Sequence, residues 1–147
     1  MFFFPISDVN ATKNKPIISW IILLSCILIF IYQKNLGYHF EQTIILTFGM
    51  IPSVLFKISQ LPNELVIIPS YMTLVSSMFL HGGWMHLIGN MAYLYIFGDN
   101  IEDELGKIKF IIFYIFCGIF AGLSQALINI NSDIPMIGAS GAISGIL

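Results

Sequence analysis

PIISWIILLSCILIFIYQ, residues 16–33, contains no charged side chain and only three strongly polar groups, and its reading decides what kind of fold the chain can adopt. A helix rises ~1.5 Å per residue, so about 20 such residues cross a hydrocarbon layer of ~30 Å. Lys13 and Lys15 precede the run and Lys34 follows it, with no small-residue cleavage motif between. The run is therefore too long and wrongly flanked for a removable signal, and it reads as a retained first membrane span.

The rest of the chain agrees with that reading. Of 147 residues, 57% are hydrophobic and 10% charged, and mean hydropathy is +0.88, whereas a soluble domain carries about 25% charged residues. The net charge is −2 and arginine is absent, which excludes the basic patch that nucleic-acid binding needs. The composition thus predicts an all-α polytopic bundle, because backbone groups in lipid must be satisfied within helices. Its partner is the lipid bilayer of an inner or plasma membrane.

Spans are expected at about 16–35, 84–101, 109–131 and 135–147, after a tail at 1–15 and around a large loop at 36–83. The paired Gly82-Gly83 divides the long uncharged run between Glu64 and Asp99, since adjacent glycines favour a turn over helix interior. The 36–83 segment is apolar but broken by Gly49, Pro52, Pro62 and Pro69, so it reads as a loop with helical pieces in the interface. The last stretch stops at Leu147 without a polar flank, and the chain is expected to be cut inside its fourth span.

Lysines near span ends set orientation. Lys13 and Lys15 place the N-terminus in the cytoplasm, and Lys107 with Lys109 place the connection between the second and third spans there as well. Lys34 and Lys57 then fall on the outer side, against the rule.

Polar groups at membrane depth usually face a protein interior or a wet cavity. His86 and Asn90 are four residues apart, on one helical face. His81 would lie about 140° away if one helix covered both histidines, so it is expected to diverge from them. Ser140 sits in Gly138-Ala139-Ser140-Gly141, where the glycines allow close backbone approach and a helix start leaves amides free, a setting suited to a nucleophile. Such residues also serve as interhelical hydrogen bonds and close packing, and both readings stand on chemistry alone. Gly118 with Gly122, and Gly141 with Gly145, read as packing faces. Cys26 and Cys117 lie in apolar runs and read as buried hydrophobes. No residue spacing suits a metal, and no cofactor is implied.

The run His81-Gly82-Gly83-Trp84-Met85-His86-Leu87-Ile88-Gly89-Asn90-Met91 resembles the His/Asn signature of rhomboid intramembrane serine proteases, and Gly138-Ala139-Ser140-Gly141 is similar to their nucleophile motif. Phe97-Gly98-Asp99-Asn100-Ile101-Glu102 through Gly106 is similar to the family's segment at the cytoplasmic end of the second span. The resemblance covers about residues 69–147 and makes 16–147 a partial rhomboid membrane domain. It implies a serine endopeptidase acting on transmembrane protein substrates. Ser140 would be the nucleophile, and His86, Asn90 and the Ser140 amide would form the oxyanion hole. His81 would be a packing or loop-anchoring residue, and Glu102 would tie down the cytoplasmic loop. Gly138 and Gly141 would shape the motif.

Two departures stand out. These proteases often carry a Trp-Arg pair where this chain has Tyr71-Met72. Their general-base histidine comes from a sixth span, which these 147 residues do not include, so the chain by itself is expected to be inert. Two other classes remain open on sequence: a catalytically dead rhomboid-like protein that binds membrane helices, and a channel or transporter subunit using His86 and Asn90.

Overall fold

The computed structural model describes residues 12–147; the first eleven residues of the expected cytoplasmic tail lie outside the described residues. Secondary structure among the described residues is helical, apart from turns and one isolated bridge. The helices are α1 (Ile17–Asn35), α2 (Tyr38–Phe48), α3 (Pro52–Leu55), α4 (Thr73–Ser76), α5 (Trp84–Leu105), α6 (Lys107–Ile128) and α7 (Ser140–Ser144). Two of them, α1 and α6, are long and apolar enough to cross a membrane.

Each long helix turns one face inward. The buried positions of α1 are Ser19, Ile22, Cys26, Phe30 and Gln33, three or four residues apart and hence on one side. Of these, Ile22, Cys26 and Phe30 pack with Leu87, Met91 and Leu94 of α5 and Phe110 and Tyr114 of α6 to form the main core. The other faces leave large apolar side chains exposed, among them Leu24, Leu28, Ile112 and Phe116, which is the pattern of helices solvated by lipid rather than water.

The bundle's two ends are defined by what touches there. Helix α1 has no side-chain cap of its own. The Glu102 carboxylate supplies one from α5: Oε1 accepts the Ile18 N–H at 2.9 Å, and Oε2 accepts the Ser19 N–H and hydroxyl, each at 2.8 Å. Asp103 accepts the backbone N–H groups of Lys13 (2.8 Å) and Asn14 (3.0 Å) and the Asn14 side-chain amide (2.7 Å). The Lys13 N–H and the Asn14 amide hold this carboxyl below the usual carboxylate range. Glu102 therefore anchors α1 rather than the loop beyond α5, because that loop is a single residue, Gly106, at φ 76°. At the opposite end Phe30 meets Trp84 edge-on at 4.9 Å. Helices α1 and α5 are thus antiparallel neighbours, with Lys13, Lys15, Lys107 and Lys109 all at the Glu102 end. Lys34, at the other end, is paired with Glu41 at 2.6 Å, which offsets its conflict with the charge rule.

Helix boundaries differ from the sequence expectation in three places, the smallest being α6, which runs over Lys107–Ile128 rather than 109–131. The helix from Trp84 continues to Leu105 rather than 101, because its acidic last turns carry Glu102 and Asp103 to their partners on the segment before and within α1. The expected span from about 135 begins as extended chain, and helix starts only at Ser140. Pro135 has no N–H to donate, and Gly138 has φ 121°, outside any helix. This segment instead pairs with the large loop: Met50 and Met136 exchange backbone hydrogen bonds of 3.0 and 2.8 Å, and the Ser53 N–H donates to the Ser132 carbonyl at 3.0 Å.

Candidate active site

Helix α5 starts at Trp84 after an extended Gly83, so His86 and Asn90 lie in its first two turns with their side chains on one face. Asn90 is buried, and its Nδ2 has no hydrogen-bond partner among the described residues. His86 is exposed. Both reach toward the backbone of Gly138: a methyl group built there would stand 2.5 Å from His86 Cε1, 2.7 Å from His86 Nε2 and 3.7 Å from Asn90 Nδ2. Glycine at 138 is thus required twice, by its positive φ and by the imidazole that occupies the space of a side chain.

Ser140 follows two residues later as the first residue of α7. Its side chain is exposed. The approach to it is fixed from both sides. The Gly138 N–H donates to the Ser77 carbonyl at 2.9 Å. Asp133 accepts hydrogen bonds from the hydroxyls of Ser53 (2.5 Å) and Ser59 (3.0 Å), and those bonds hold its carboxyl below the usual range. Beyond Ser140, α7 lies on α6 through small residues. A side chain on Gly141 would meet Ala121 Cβ at 2.8 Å, and one on Gly145 would meet Cys117 Sγ at 2.4 Å. Ser140, Gly138 and Gly141 line a cavity of about 570 Å³, which also takes in Ser77, Gln125 and Asn129.

His81 does not diverge from His86. It precedes the helix, so the helical-wheel angle does not apply, and its ring meets that of His86 edge-on with centroids 5.2 Å apart. It is completely buried. Burial and the neighbouring His86 push its pKa down to about 4, against a weaker opposing effect of the Phe79 carbonyl. Two participants were not singled out from the sequence. The Ser77 carbonyl carries no sequence signal, since backbone acceptors are indifferent to residue type. Gln33, which accepts from the His81 N–H at 3.5 Å, continues the buried face of α1 and was legible as a polar residue on an apolar stripe.

Residues 69–147 match the family model described as Rhomboid domain. Among curated proteins, the chain is similar to Rhomboid-like protein 11, chloroplastic, of Arabidopsis thaliana (36% identity; 53% of this chain and 28% of that one). It is similar to a putative rhomboid protease of Bacillus subtilis (33%; 50% and 36%). It is also similar to a rhomboid protease of Salmonella newport (24%; 83% and 39%). The matched stretch spans about a third of the length of these relatives.

Proposed function

This chain belongs to the rhomboid family, and on that premise we propose that it carries the nucleophile and oxyanion-binding part of an intramembrane serine endopeptidase acting on transmembrane proteins. The observation that carries the proposal is the convergence of the His86 and Asn90 side chains on the backbone at Gly138, two residues before Ser140. Two of the relatives have protease in their names, one of them as putative.

In this reading Ser140 Oγ attacks the scissile carbonyl, and the carbonyl oxygen takes up negative charge. The unpartnered Asn90 amide, the His86 imidazole and the Ser140 amide are donors held in place before that charge forms. Fixed donors are where such sites gain most, because nothing reorganises during reaction and water is scarce. The proton leaving Ser140 needs a base. His81 is buried and His86 is engaged at Gly138, so the resemblance assigns that task to a histidine of a later span. The N-terminus and the lysine-bearing end face the cytoplasm, the protein crosses the membrane several times, and the site lies toward the opposite leaflet.

The test is cleavage of a transmembrane substrate by the complete gene product in detergent or liposomes. Ser140→Ala should abolish turnover. His86→Ala and Asn90→Ala should each lower kcat about 10²–10³-fold with little change in KM, the size seen for loss of one oxyanion donor. Undiminished cleavage by Ser140→Ala would refute the nucleophile assignment, and a wild-type protein that binds helices without cutting them would favour the dead-enzyme reading.

A further inference from the structure

We propose that Gln33 of α1 is a positioning residue for His86, acting through His81. The inference deepens the active-site reading above and rests on it.

Gln33, His81 and His86 lead from α1 to the candidate site, the first joined to the backbone of the second and the second packed on the ring of the third. Gln33 is 0% exposed, and its Nε2 has no hydrogen-bond partner among the described residues. Its Oε1 accepts the His81 N–H at 3.5 Å, a long bond. His81 is also 0% exposed, and neither ring nitrogen has a hydrogen bond of good geometry. Its ring packs edge-on against His86, which abuts Gly138. The packing around them is otherwise apolar. Phe30, one turn before Gln33, is fully buried against Trp84, one residue before Met85 and two before His86.

Buried amides and imidazoles without partners are costly, and a folded protein retains few of them. Here the unsatisfied groups are complementary. A carboxamide offers two donor hydrogens, and a neutral imidazole offers one acceptor nitrogen. With Oε1 turned to the His81 N–H, the Nε2 hydrogens of the same amide remain to donate to the acceptor nitrogen of the ring. Burial favours the neutral imidazole that accepts. A Gln33 hydrogen bond then selects one His81 tautomer and fixes the ring plane. The ring in turn limits the orientations open to His86, which is otherwise exposed and free to rotate away from Gly138. Gln33 touches no reacting atom in this scheme.

The measurement is a double-mutant cycle on the complete protease, with cleavage kinetics in liposomes. Gln33→Met keeps the length and apolar bulk of the side chain and removes its hydrogen bonds. It should lower kcat about 10-fold, leave KM within 2-fold, and have no further effect in a His86→Ala background, because the residue it positions is gone. Gln33→Glu, whose buried carboxylic acid again offers donor and acceptor, should recover most of the lost kcat; it also stands in if Gln33→Met does not fold, and must then match wild type within 3-fold. A Gln33→Met effect of equal size in both backgrounds, or none in either, would overturn the proposal while leaving Ser140 and His86 in their roles. Unchanged turnover by His86→Ala alone would instead bring down the active-site reading, and this proposal with it.

Discussion

Gly138 and His86 occupy one space: the position a side chain would take at residue 138 is filled by the imidazole, 2.5 Å from Cε1 and 2.7 Å from Nε2. The contact joins the first turn of α5 to the segment entering α7, elements more than fifty residues apart in sequence.

Gly138→Ala is therefore predicted to fail on two counts, the φ of 121° and the collision with a ring that has a function in the present reading. A backbone position of this kind costs a non-glycine residue about 1–3 kcal/mol. Cleavage by the complete protein should fall at least 100-fold, with unfolding in mixed micelles shifted by only that modest amount. Wild-type activity in the variant would show that His86 need not lie where it does.

Gly141 meets Ala121 at a distance that admits no methyl group, 2.8 Å, and neither partner can swing aside because both contacts end at a Cβ. Gly141→Ala should destabilise by about 1–3 kcal/mol, the usual cost of overpacking. Ala121→Gly in the same chain should restore most of the loss, since it removes the opposing carbon. The contrasting site is Gly118, where a new methyl would meet the flexible end of Met78, and there the cost should be smaller. Equilibrium unfolding of the two single variants and the double distinguishes these outcomes.

Glu102 satisfies three donors at the start of α1, a helix with no cap of its own. Glu102→Ala leaves those groups buried and unpaired and should cost about 2–4 kcal/mol, more than a single lost cap because the acceptor is charged. Glu102→Gln keeps one acceptor oxygen and should lose less. Hydrogen exchange at the amides of Ile18 and Ser19 is the local readout, with protection falling in the order wild type, Gln, Ala.

His81 gives a pH dependence whose sign follows from its lowered pKa. The folded state holds it neutral down to about pH 4, while the unfolded chain protonates it near the ordinary 6.5. Between those values the unfolded state binds more protons, so stability falls as pH drops from 6.5 toward 4, by at most about 1.4 kcal/mol per unit, and levels off below. Above pH 6.5 the group contributes no slope. His81→Asn should flatten the profile across that window, and an unchanged slope would place its origin elsewhere.

Much of this architecture was legible in the residues. The apolar run ending at Gln33 and the Gly82-Gly83 break defined the starts of α1 and α5 almost to the residue, because composition and backbone freedom act locally. The spacing of His86 and Asn90 placed them on a common face for the same reason. What was not legible depends on tertiary contact. The helical continuation to Leu105 rests on carboxylates whose partners lie more than eighty residues away. The extended entry to Ser140 is held by Met50, Ser53 and Ser77 from the loop, and nothing in residues 134–139 alone announces that pairing, although Pro135 and Gly138 argue against helix. His81 lies beside His86 because the segment before Trp84 is not helical, and a helical-wheel angle has no meaning there.

The central claim is that Ser140 is a hydroxyl nucleophile backed by His86 and Asn90. Its most direct test is covalent capture: treat the complete membrane protein with a fluorophosphonate and locate the adduct by peptide mass spectrometry. The account predicts a single phosphonylated residue, Ser140, with labelling slowed at least 10-fold by Asn90→Ala and lost in Ser140→Ala. An adduct on another residue, or proteolysis of a transmembrane substrate that persists with Ser140 replaced, would contradict it.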